Sequence, residues 1–349
     1  MDYPRVAIVI LNWNRGEDTV ECLESLYQIV YPQYEVIVID NGSCDNSVEK
    51  IKAWTRGNLE VESRFFKYDP TGKPIETIEY TREEAESGGV KEKEITNLSS
   101  DRRMRIIKNE RNYGFAEGNN IGMRYALNSL NPDYILWLNN DTVVDKMFLT
   151  ELINVAQCDN DIGLTEAKIY YYDYRSRTDV INFAGAGLNL WISQPSMNYG
   201  LNEIDLGQHE QIREVSKLDG ACTLIKASML KKIGLFDPRY FAYWEATELS
   251  YKASKAGFRL LYAPKSKIWH KISASSGGSL GTIAIYYFNR NRFLFMKNNS
   301  SKIQICTSLL YFFGFRFWLS IGSFILLHKN LNALRAFLRG VRDGLRFLF

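Results

Sequence analysis

The chain has 349 residues, 46% of them hydrophobic, which predicts two domains or one large α/β domain with additions. Its net charge is only +3, so the composition gives no general reason to expect a nucleic-acid partner, although the C-terminal end is basic. The five cysteines form no CxxC pair; this usage indicates reduced thiols in a cytosolic setting and argues against a disulfide framework or a zinc site.

The first part of the chain alternates predicted strands and helices. Arg5–Leu11 and Tyr34–Asp40 are continuous apolar, β-branched runs, as expected of parallel strands that are covered on both faces. Glu17–Val30 carries apolar residues at helical spacing, and Asp45–Trp54 is also predicted to be a helix. This order predicts a parallel, doubly wound sheet. Because the chain enters the first strand directly, we expect no signal peptide.

Polar residues stand where these two strands end. Asn12 and Trp13 follow the first strand, and Asp40 closes the second. A carboxylate at this position is well placed to accept hydrogen bonds from ribose hydroxyls or from a pyrimidine N–H, while Trp13 either stacks on a base or belongs to the core. The first turn lacks the GxGxxG sequence, which disfavours a dinucleotide fold of the dehydrogenase type.

Residues 58–103 interrupt the alternation with a polar, glutamate-rich stretch. The alternating pieces Ser63–Tyr68 and Ile75–Tyr80 are predicted to form a hairpin. We expect a surface insertion whose charges face solvent.

The segment NYGFAEGNN places glycines at the start of a predicted helix that runs to about Leu130. Gly114 and Gly118 allow close backbone approach, and the helix N-terminus favours anions. Asn112 and Asn119 are positioned to present amides to a sugar or a phosphate.

The predicted strand Tyr134–Leu138 ends abruptly in Asn139, Asn140 and Asp141. The carboxyl edge of an α/β sheet is where ligands bind, and oxygen ligands there suit Mg²⁺ or Mn²⁺, which in turn suits a diphosphate. The alternative is an Asx turn or helix cap that merely ends a core strand.

The second half of the chain predicts a mixed arrangement of strands and helices. Its predicted strands are Gly163–Tyr172, Val180–Trp191, Asp219–Ile225 and Phe258–Ala263, and its helices are Phe148–Ala156, Ala227–Ile233 and a segment ending at Ala256. An aromatic run, Tyr240–Trp244, leads into the last of these helices, and His270 follows the last strand.

The segments LNWN, VIDNGS, NYGFAEGNN, LNNDTVV, DGACTLIK and GLFDPRYFAYWE, followed by a late histidine, occur in this order. Together they resemble the family 2 glycosyltransferases of the GT-A fold, particularly the rhamnosyltransferase-like branch. The resemblance implies a Rossmann-like, doubly wound mixed α/β sheet. It also implies an inverting transferase that moves a sugar from a nucleoside-diphosphate sugar (a dTDP- or UDP-sugar) to a lipid-linked or surface-polysaccharide acceptor.

The resemblance also assigns roles to individual residues. Asp141 and His270 would hold a divalent cation, and Tyr243 and Trp244 would lie on the acceptor side. The residues implied to bind the nucleotide and the donor sugar are Leu11, Asn12, Trp13, Asp40, Asn112, Gly114, Asn119, Asn140 and Gly220.

The sequence departs from the family at two places. The metal-binding DxD-type motif reads Asn139-Asn140-Asp141, with one carboxylate, which implies a modest affinity for the metal.

The second departure concerns the general base. The base of the family is the aspartate of a Glu-Asp pair that follows the aromatic run, and here the pair reads Glu245-Ala246. Alanine has no lone pair and cannot accept a proton. Because every other motif is intact, we hypothesise an engineered, inactive Asp→Ala variant. A natural inactive relative, or replacement of the base by Glu245 or Glu248, is the alternative.

The C-terminal end combines apolar and basic segments. Ala284–Lys297 predicts a helix, and Ser308–Leu327 has a single charge, Arg316, over a length that could span a bilayer. Basic residues flank both ends of this segment, which argues against sending either end outside. We expect amphipathic helices lying on the cytoplasmic face of the membrane, with Leu331–Phe349 as a second, basic piece. A buried helix pair at a homodimer interface is the alternative.

These observations predict a catalytic domain over residues 1–283 and a membrane-associating helical region over residues 284–349. The catalytic domain would comprise a nucleotide-binding half, about 1–145, and an acceptor half, about 146–283. The alternatives to a glycosyltransferase are an inactive partner subunit that binds a sugar nucleotide or glycan, which Ala246 favours, and a nucleotidyltransferase, which the first turn disfavours.

Overall fold

The computed structural model of the chain describes residues 3–272 and 281–348. Its centre is an 11-stranded mixed sheet with the order β11-β13-β7-β12-β5-β1-β2-β4-β3, in which β6 also pairs with β13 and β8 with β7. The strands of this sheet are β1 (Val6–Asn12), β2 (Tyr34–Asp40), β3 (Glu76–Thr81), β4 (Arg103–Lys108), β5 (Tyr134–Asn139), β6 (Thr142–Val144), β7 (Ile162–Tyr171), β8 (Ile181–Phe183), β11 (Arg213–Glu214), β12 (Cys222–Lys226) and β13 (Arg259–His270). Two short strands, β9 (Leu188–Asn189) and β10 (Gln194–Pro195), form a separate two-stranded sheet.

Helices cover both faces of the sheet and form the C-terminal region. They are α1 (Gly16–Leu26), α2 (Ser47–Thr55), α3 (Arg82–Glu86), α4 (Gly114–Tyr125), α5 (Phe148–Ala156), α6 (Ala227–Ile233), α7 (Glu245–Lys255), α8 (Thr282–Asn299), α9 (Lys302–Tyr311), α10 (Phe317–Gly322) and α11 (Leu331–Leu345). The alternation of strands and helices predicted for the first part of the chain is therefore confirmed.

The register of the parallel strands determines where the site forms. In β1, Leu11 pairs with Asn139 of β5 and Asn12 pairs with Asp40 of β2. The carboxyl ends of these three strands therefore lie side by side at one edge. Beyond β5 the sheet changes direction, because β12 runs antiparallel to both β5 and β7.

Successive residues of the central strands face two separate cores. Ile8 and Val36 belong to the cluster that packs under α1, α2 and α5, whereas Val9 and Ile37 belong to the cluster that packs under α4, α6 and α7. Both faces are covered by helices, which explains why β1 and β2 have continuous apolar sequences instead of an alternating pattern.

The stretch 58–103 differs from the prediction. Glu76–Thr81 does not form a hairpin but adds a parallel edge strand beside β4. The charged residues of the run Arg82–Glu94 are exposed or half-buried as expected, although Glu92 pairs with Arg105 of β4, which is completely buried and also binds Glu35. The prediction of a hairpin was wrong because the second piece pairs with β4 and not with Ser63–Tyr68.

The C-terminal helices form a third apolar cluster. Residues Lys302–Leu327, here called the apolar helix, run continuously through α9, α10 and two π turns. Among the described residues, this is the one helix that is long and apolar enough to cross a membrane by length and composition, and almost none of its most apolar stretch is buried.

Helix α11 does not present its apolar face to the outside as predicted. Ala333, Phe337 and Val341 are buried against α8 and the apolar helix. Gly340 and Gly344 let the backbones approach closely, since a Cβ at Gly340 would lie 2.5 Å from the carbonyl oxygen of Tyr286. The arginines of α11 remain exposed. Phe349, the last residue of the predicted basic piece, lies outside the described residues.

Candidate active site

A cavity of about 730 Å³ opens at the carboxyl ends of β1 and β5. Leu11 and Trp13 line it beside β1, and Asn139, Asn140 and Asp141 line it beside β5. Its far wall is formed by residues 241–247 and by side chains of α8. Most of the predicted site residues line this one cavity, namely Leu11, Trp13, Asn112, Gly114, Asn140, Asp141, Gly220, Tyr243, Trp244, Glu245, Ala246 and His270.

Asp141 and His270 meet across the sheet edge. Antiparallel pairing of β6 with β13 places His270 opposite Thr142, and its Nε2 lies 3.0 Å from Oδ1 of Asp141. Burial opposes the ionisation of Asp141, but the charge and hydrogen bond of His270 outweigh it and hold the pKa of Asp141 below its ordinary value. Burial likewise opposes the charge on His270, whereas Asp141 raises the pKa of His270. His270 is the last residue of β13, a strand longer than predicted.

Three residues predicted to bind the donor do not line the cavity. Asn12 is completely buried and donates to Asp40 Oδ1 at 2.8 Å, while Asp40 Oδ2 accepts from the backbone N–H of Ser43 at 3.1 Å. The two side chains therefore hold the ends of β1 and β2 together. Asn119 is also buried, and its amide donates to the carbonyl of Phe115 in its own helix.

The N-terminus of α4 is not free to bind an anion as the sequence suggested. The backbone N–H groups of Phe115 and Ala116 donate to the carbonyl of Phe241, at 2.5 and 3.1 Å. Gly114 permits this contact: its φ is +87°, and a Cβ there would lie 2.5 Å from the Phe241 ring. The prediction failed because a distant segment already caps this helix.

The aromatic segment, residues 240–244, is held in an unusual conformation. Phe241, Tyr243 and Trp244 have positive φ angles of 62°, 66° and 77°. Such angles are costly for bulky residues and persist only where the surroundings impose them. Here buried Asn291 of α8 donates from its Nδ2 to the carbonyls of Tyr240, Ala242 and Tyr243, at 2.7, 2.7 and 2.9 Å.

Two adjacent residues follow this segment at the start of α7. Glu245 is 7% exposed, and its Oε2 has no hydrogen-bond partner among the described residues. Burial raises the pKa of Glu245 to about 7. Ala246 also lines the cavity and faces Gly220, where a Cβ would lie 3.0 Å from that of Ala246. Glu248 does not line the cavity, since its carboxylate binds Asn298 of α8.

The structure adds cavity residues that sequence reasoning missed. Asn41, directly after β2, donates its amide N–H to Oδ1 of Asn112 at 3.0 Å. Lys217 and Asp219, just before Gly220, also line the cavity. Buried Glu166 orients this turn by accepting from the backbone N–H groups of Asp219 and Gly220, both at 2.7 Å. Asn41 and Asp219 could have been found from the sequence, because both are polar residues within the recognised segments VIDNGS and DGACTLIK.

Comparison with solved structures identifies the class of fold. One similar structure is a mannosyltransferase from Pyrobaculum calidifontis in complex with GDP-Man and Mn²⁺, with a TM-score of 0.55 and 12% sequence identity. The match covers 100% of this chain and 88% of the mannosyltransferase chain. A second is GalNAc-T7 with UDP, GalNAc and Mn²⁺, with a TM-score of 0.52 and 17% sequence identity. This match covers 77% of this chain and 43% of the GalNAc-T7 chain. The fold is that of the GT-A glycosyltransferases.

Family models then place the sequence. Residues 93–292 match the model described as glycosyltransferase like family 2, and residues 7–68 match that of glycosyl transferase family 2. The chain belongs to glycosyltransferase family 2, which argues against the nucleotidyltransferase alternative.

Curated relatives support the resemblance to the rhamnosyltransferase-like branch. The low-salt glycan biosynthesis hexosyltransferase Agl10 of Haloferax volcanii is 26% identical over 197 residues, which are 55% of this chain and 59% of that protein. The rhamnosyltransferase WbbL of Escherichia coli is 28% identical over 165 residues, 44% of this chain and 58% of that protein. The chain thus covers less than two thirds of the length of these relatives.

Proposed function

We propose that this chain transfers a sugar, with inversion, from a nucleoside-diphosphate sugar to a lipid-linked glycan at the cytoplasmic face of the membrane. The donor would be a dTDP- or UDP-sugar. The observation that carries the proposal is a single cavity containing both the Asp141–His270 pair and the segment Trp244–Ala246. A donor diphosphate and an acceptor hydroxyl need to meet in such a shared space.

The residues around Asp141 fit a divalent cation that is shared with a diphosphate. Asp141 and His270 supply a carboxylate and an imidazole 3.0 Å apart, and Oδ1 of Asn139 is buried and has no partner within residues 3–272 and 281–348. The described residues contain no cluster of three or more His, Cys, Asp or Glu side chains arranged to hold a metal ion, so phosphate oxygens would have to complete the coordination. A Mg²⁺ or Mn²⁺ ion there would neutralise charge on the departing diphosphate.

The transfer needs a group that removes a proton from the acceptor. As the acceptor oxygen bonds to the anomeric carbon, its proton passes to a base and the diphosphate leaves with the bonding pair. Ala246 occupies the base position of the family, so we propose that transfer by this chain is impaired. Glu245 is the neighbouring carboxylate, with a pKa near neutrality and an oxygen that has no partner in the described part of the chain, and it would act as the residual base.

Restoring the expected base tests the proposal. Ala246→Asp should raise the rate of sugar transfer by about 10²-fold or more, the usual contribution of a positioned general base. Ala246→Asn is the matched control, because it has nearly the same shape but cannot accept the proton. If the Asp and Asn variants transfer no faster than the unchanged chain, impairment by Ala246 is wrong.

Ala246 also favours a second candidate: a partner subunit that binds a sugar nucleotide or glycan without turnover. This candidate predicts that nucleotide sugars stabilise the chain, while Ala246→Asp neither transfers the sugar nor hydrolyses the donor. Measuring transfer and donor hydrolysis in the same reactions separates the two candidates.

The outer surface of the apolar helix supports attachment to a membrane. Leu310, Trp318 and Leu326 are 73%, 64% and 73% exposed, which is unusual for an apolar patch on a soluble protein. The helix is also tied to the mouth of the cavity, because Thr307 and Ser308 donate to the carbonyl of Trp191, in the loop that leads to cavity residue Pro195. A lipid-linked acceptor would thereby meet the cavity at the bilayer surface.

A further inference from the structure

Helix α8 contains a buried cation with unused hydrogen-bond donors. Arg292 is 3% exposed, and its Nε and Nη1 have no partner among the described residues. An arginine remains charged at neutral pH, and a buried charge is costly unless it is paired. The fold therefore maintains a cationic site whose counter-charge is not supplied by the described part of the chain.

The surroundings of Arg292 increase the need for an anion. Its guanidinium carbon lies 5.0 Å from the ring centre of Phe312 and 6.0 Å from that of Phe288. Arg316 of the apolar helix adds a second positive charge one turn beyond Phe312. Burial and the charge of Arg316 lower the pKa of Arg292 to about 10, and Tyr311 only partly opposes this.

The position of Arg292 connects the cavity with the apolar helix. Phe288 lines the cavity and Phe312 belongs to the apolar helix, so the guanidinium of Arg292, which does not itself line the cavity, contacts a ring of each. In a short lipid-diphosphate-linked sugar, the charged group lies between the reacting hydroxyl and the lipid. Such a group has to be placed between the cavity and the bilayer.

We infer that Arg292 and Arg316 bind the diphosphate of a lipid-linked acceptor; this rests on the acceptor class proposed above. The guanidinium groups suit phosphate oxygens, which accept charge-assisted hydrogen bonds from arginine. The diphosphate would occupy the unused donors of Arg292 and offset the repulsion between the two cations.

Vesicle binding by the whole chain tests this site. Phosphatidylcholine vesicles carrying polyprenyl diphosphate are compared with vesicles brought to the same surface charge by phosphatidylglycerol, both in EDTA so that no cation acts at Asp141. The unchanged chain should prefer the diphosphate vesicles. Arg316→Gln, at an exposed position that folding tolerates, should lose about tenfold or more of that preference, as expected for a charge-assisted contact.

Two further variants sharpen the result. Arg292→Lys keeps the buried charge but lacks the planar fork, and it should weaken binding to the diphosphate vesicles in the same way. Arg335→Gln removes an exposed arginine of α11 and should leave the preference unchanged. Equal binding by the unchanged chain, Arg316→Gln and Arg292→Lys would overturn the inference.

Inorganic pyrophosphate in solution distinguishes the source of the anion. One outcome is that pyrophosphate stabilises the unchanged chain but not Arg316→Gln, while the unchanged chain shows no preference for the diphosphate vesicles. That result would indicate a site for a soluble anion and would overturn the lipid assignment. A gain of transfer in Ala246→Asp with normal vesicle binding by the arginine variants would refute only this site. Arginine-dependent vesicle binding without any transfer would leave this site standing and refute the proposed transfer.

Discussion

At the scale of single residues, the cavity contains two carboxylates in contrasting environments. Asp141 is paired with His270, which holds the pKa of Asp141 low against the effect of burial, whereas burial raises the pKa of Glu245, whose Oε2 has no partner among the described residues, to about 7. Environments that separate pKa values in this way allow one carboxylate to remain an anion while the other exchanges protons. This difference leads to two predictions.

The first concerns Asp141. Mn²⁺ together with a nucleotide sugar should raise the melting temperature of the unchanged chain, because a bound ligand stabilises the folded state by mass action. Asp141→Asn should abolish most of the Mn²⁺-dependent rise in melting temperature, since the amide carries no charge. Asp159→Asn, a change to an exposed carboxylate paired with Arg259, serves as the control. A full Mn²⁺ effect in Asp141→Asn would show that the cation binds elsewhere.

The second concerns the pH dependence of residual transfer. A base works only when deprotonated, so the rate should fall about tenfold for each pH unit below the pKa of Glu245 and level off above about 7. Glu245→Gln should remove this dependence together with most of the activity. Glu248→Gln should keep the same midpoint, because Glu248 does not line the cavity. A midpoint unaffected by Glu245→Gln would contradict the assignment.

At the scale of elements, α8 organises the aromatic segment. Asn291 satisfies three carbonyls of this segment, and the indole of Trp244 donates to the carbonyl of Phe288 at 2.9 Å. The strained backbone of residues 240–244 is thus imposed by a helix that the chain reaches only later.

Removing the amide of Asn291 should therefore damage both stability and transfer. Asn291→Ala removes three hydrogen bonds to this segment, which should lower the free energy of unfolding measured by urea by about 2–4 kcal/mol. In the Ala246→Asp background, kcat should fall more than donor affinity. Asn289→Ala is the control, because the Asn289 amide, as far as the chain is described, donates to Ile285 of its own helix and not to the aromatic segment. Unchanged stability in Asn291→Ala would show that the segment holds its shape without this contact.

At the scale of the whole molecule, the apolar surface of the C-terminal region predicts membrane binding. Trp318→Glu should reduce flotation with anionic vesicles at least about tenfold, because burying a charge in the membrane is unfavourable. Its melting temperature should remain unchanged, since Trp318 is 64% exposed. Val90→Glu, at an 86% exposed residue outside the C-terminal region, is the control. Unimpaired flotation of Trp318→Glu would favour a protein partner, such as a second copy, on this surface.

The sequence alone predicted the features that local pattern determines. The apolar strands, the polar residues at their ends and the aromatic run were visible because each lies within one short segment. The alternating piece Ile75–Tyr80 was recognised as a strand, but its parallel pairing with β4 was not, because the partner of a strand is set by segments far away in the chain. The capping of α4 by Phe241 was missed for the same reason, since it joins segments far apart in the chain.

The three-carbonyl contact of Asn291 bears on how this molecule can be divided. A fragment ending at residue 283 would keep the whole sheet and the Asp141–His270 pair, yet it would lack Asn291, which holds the aromatic segment in its shape. Such a fragment should still recognise a nucleotide while failing to seat the second substrate. Exchanging acceptor specificity between relatives would accordingly require transferring α8 and the aromatic segment together.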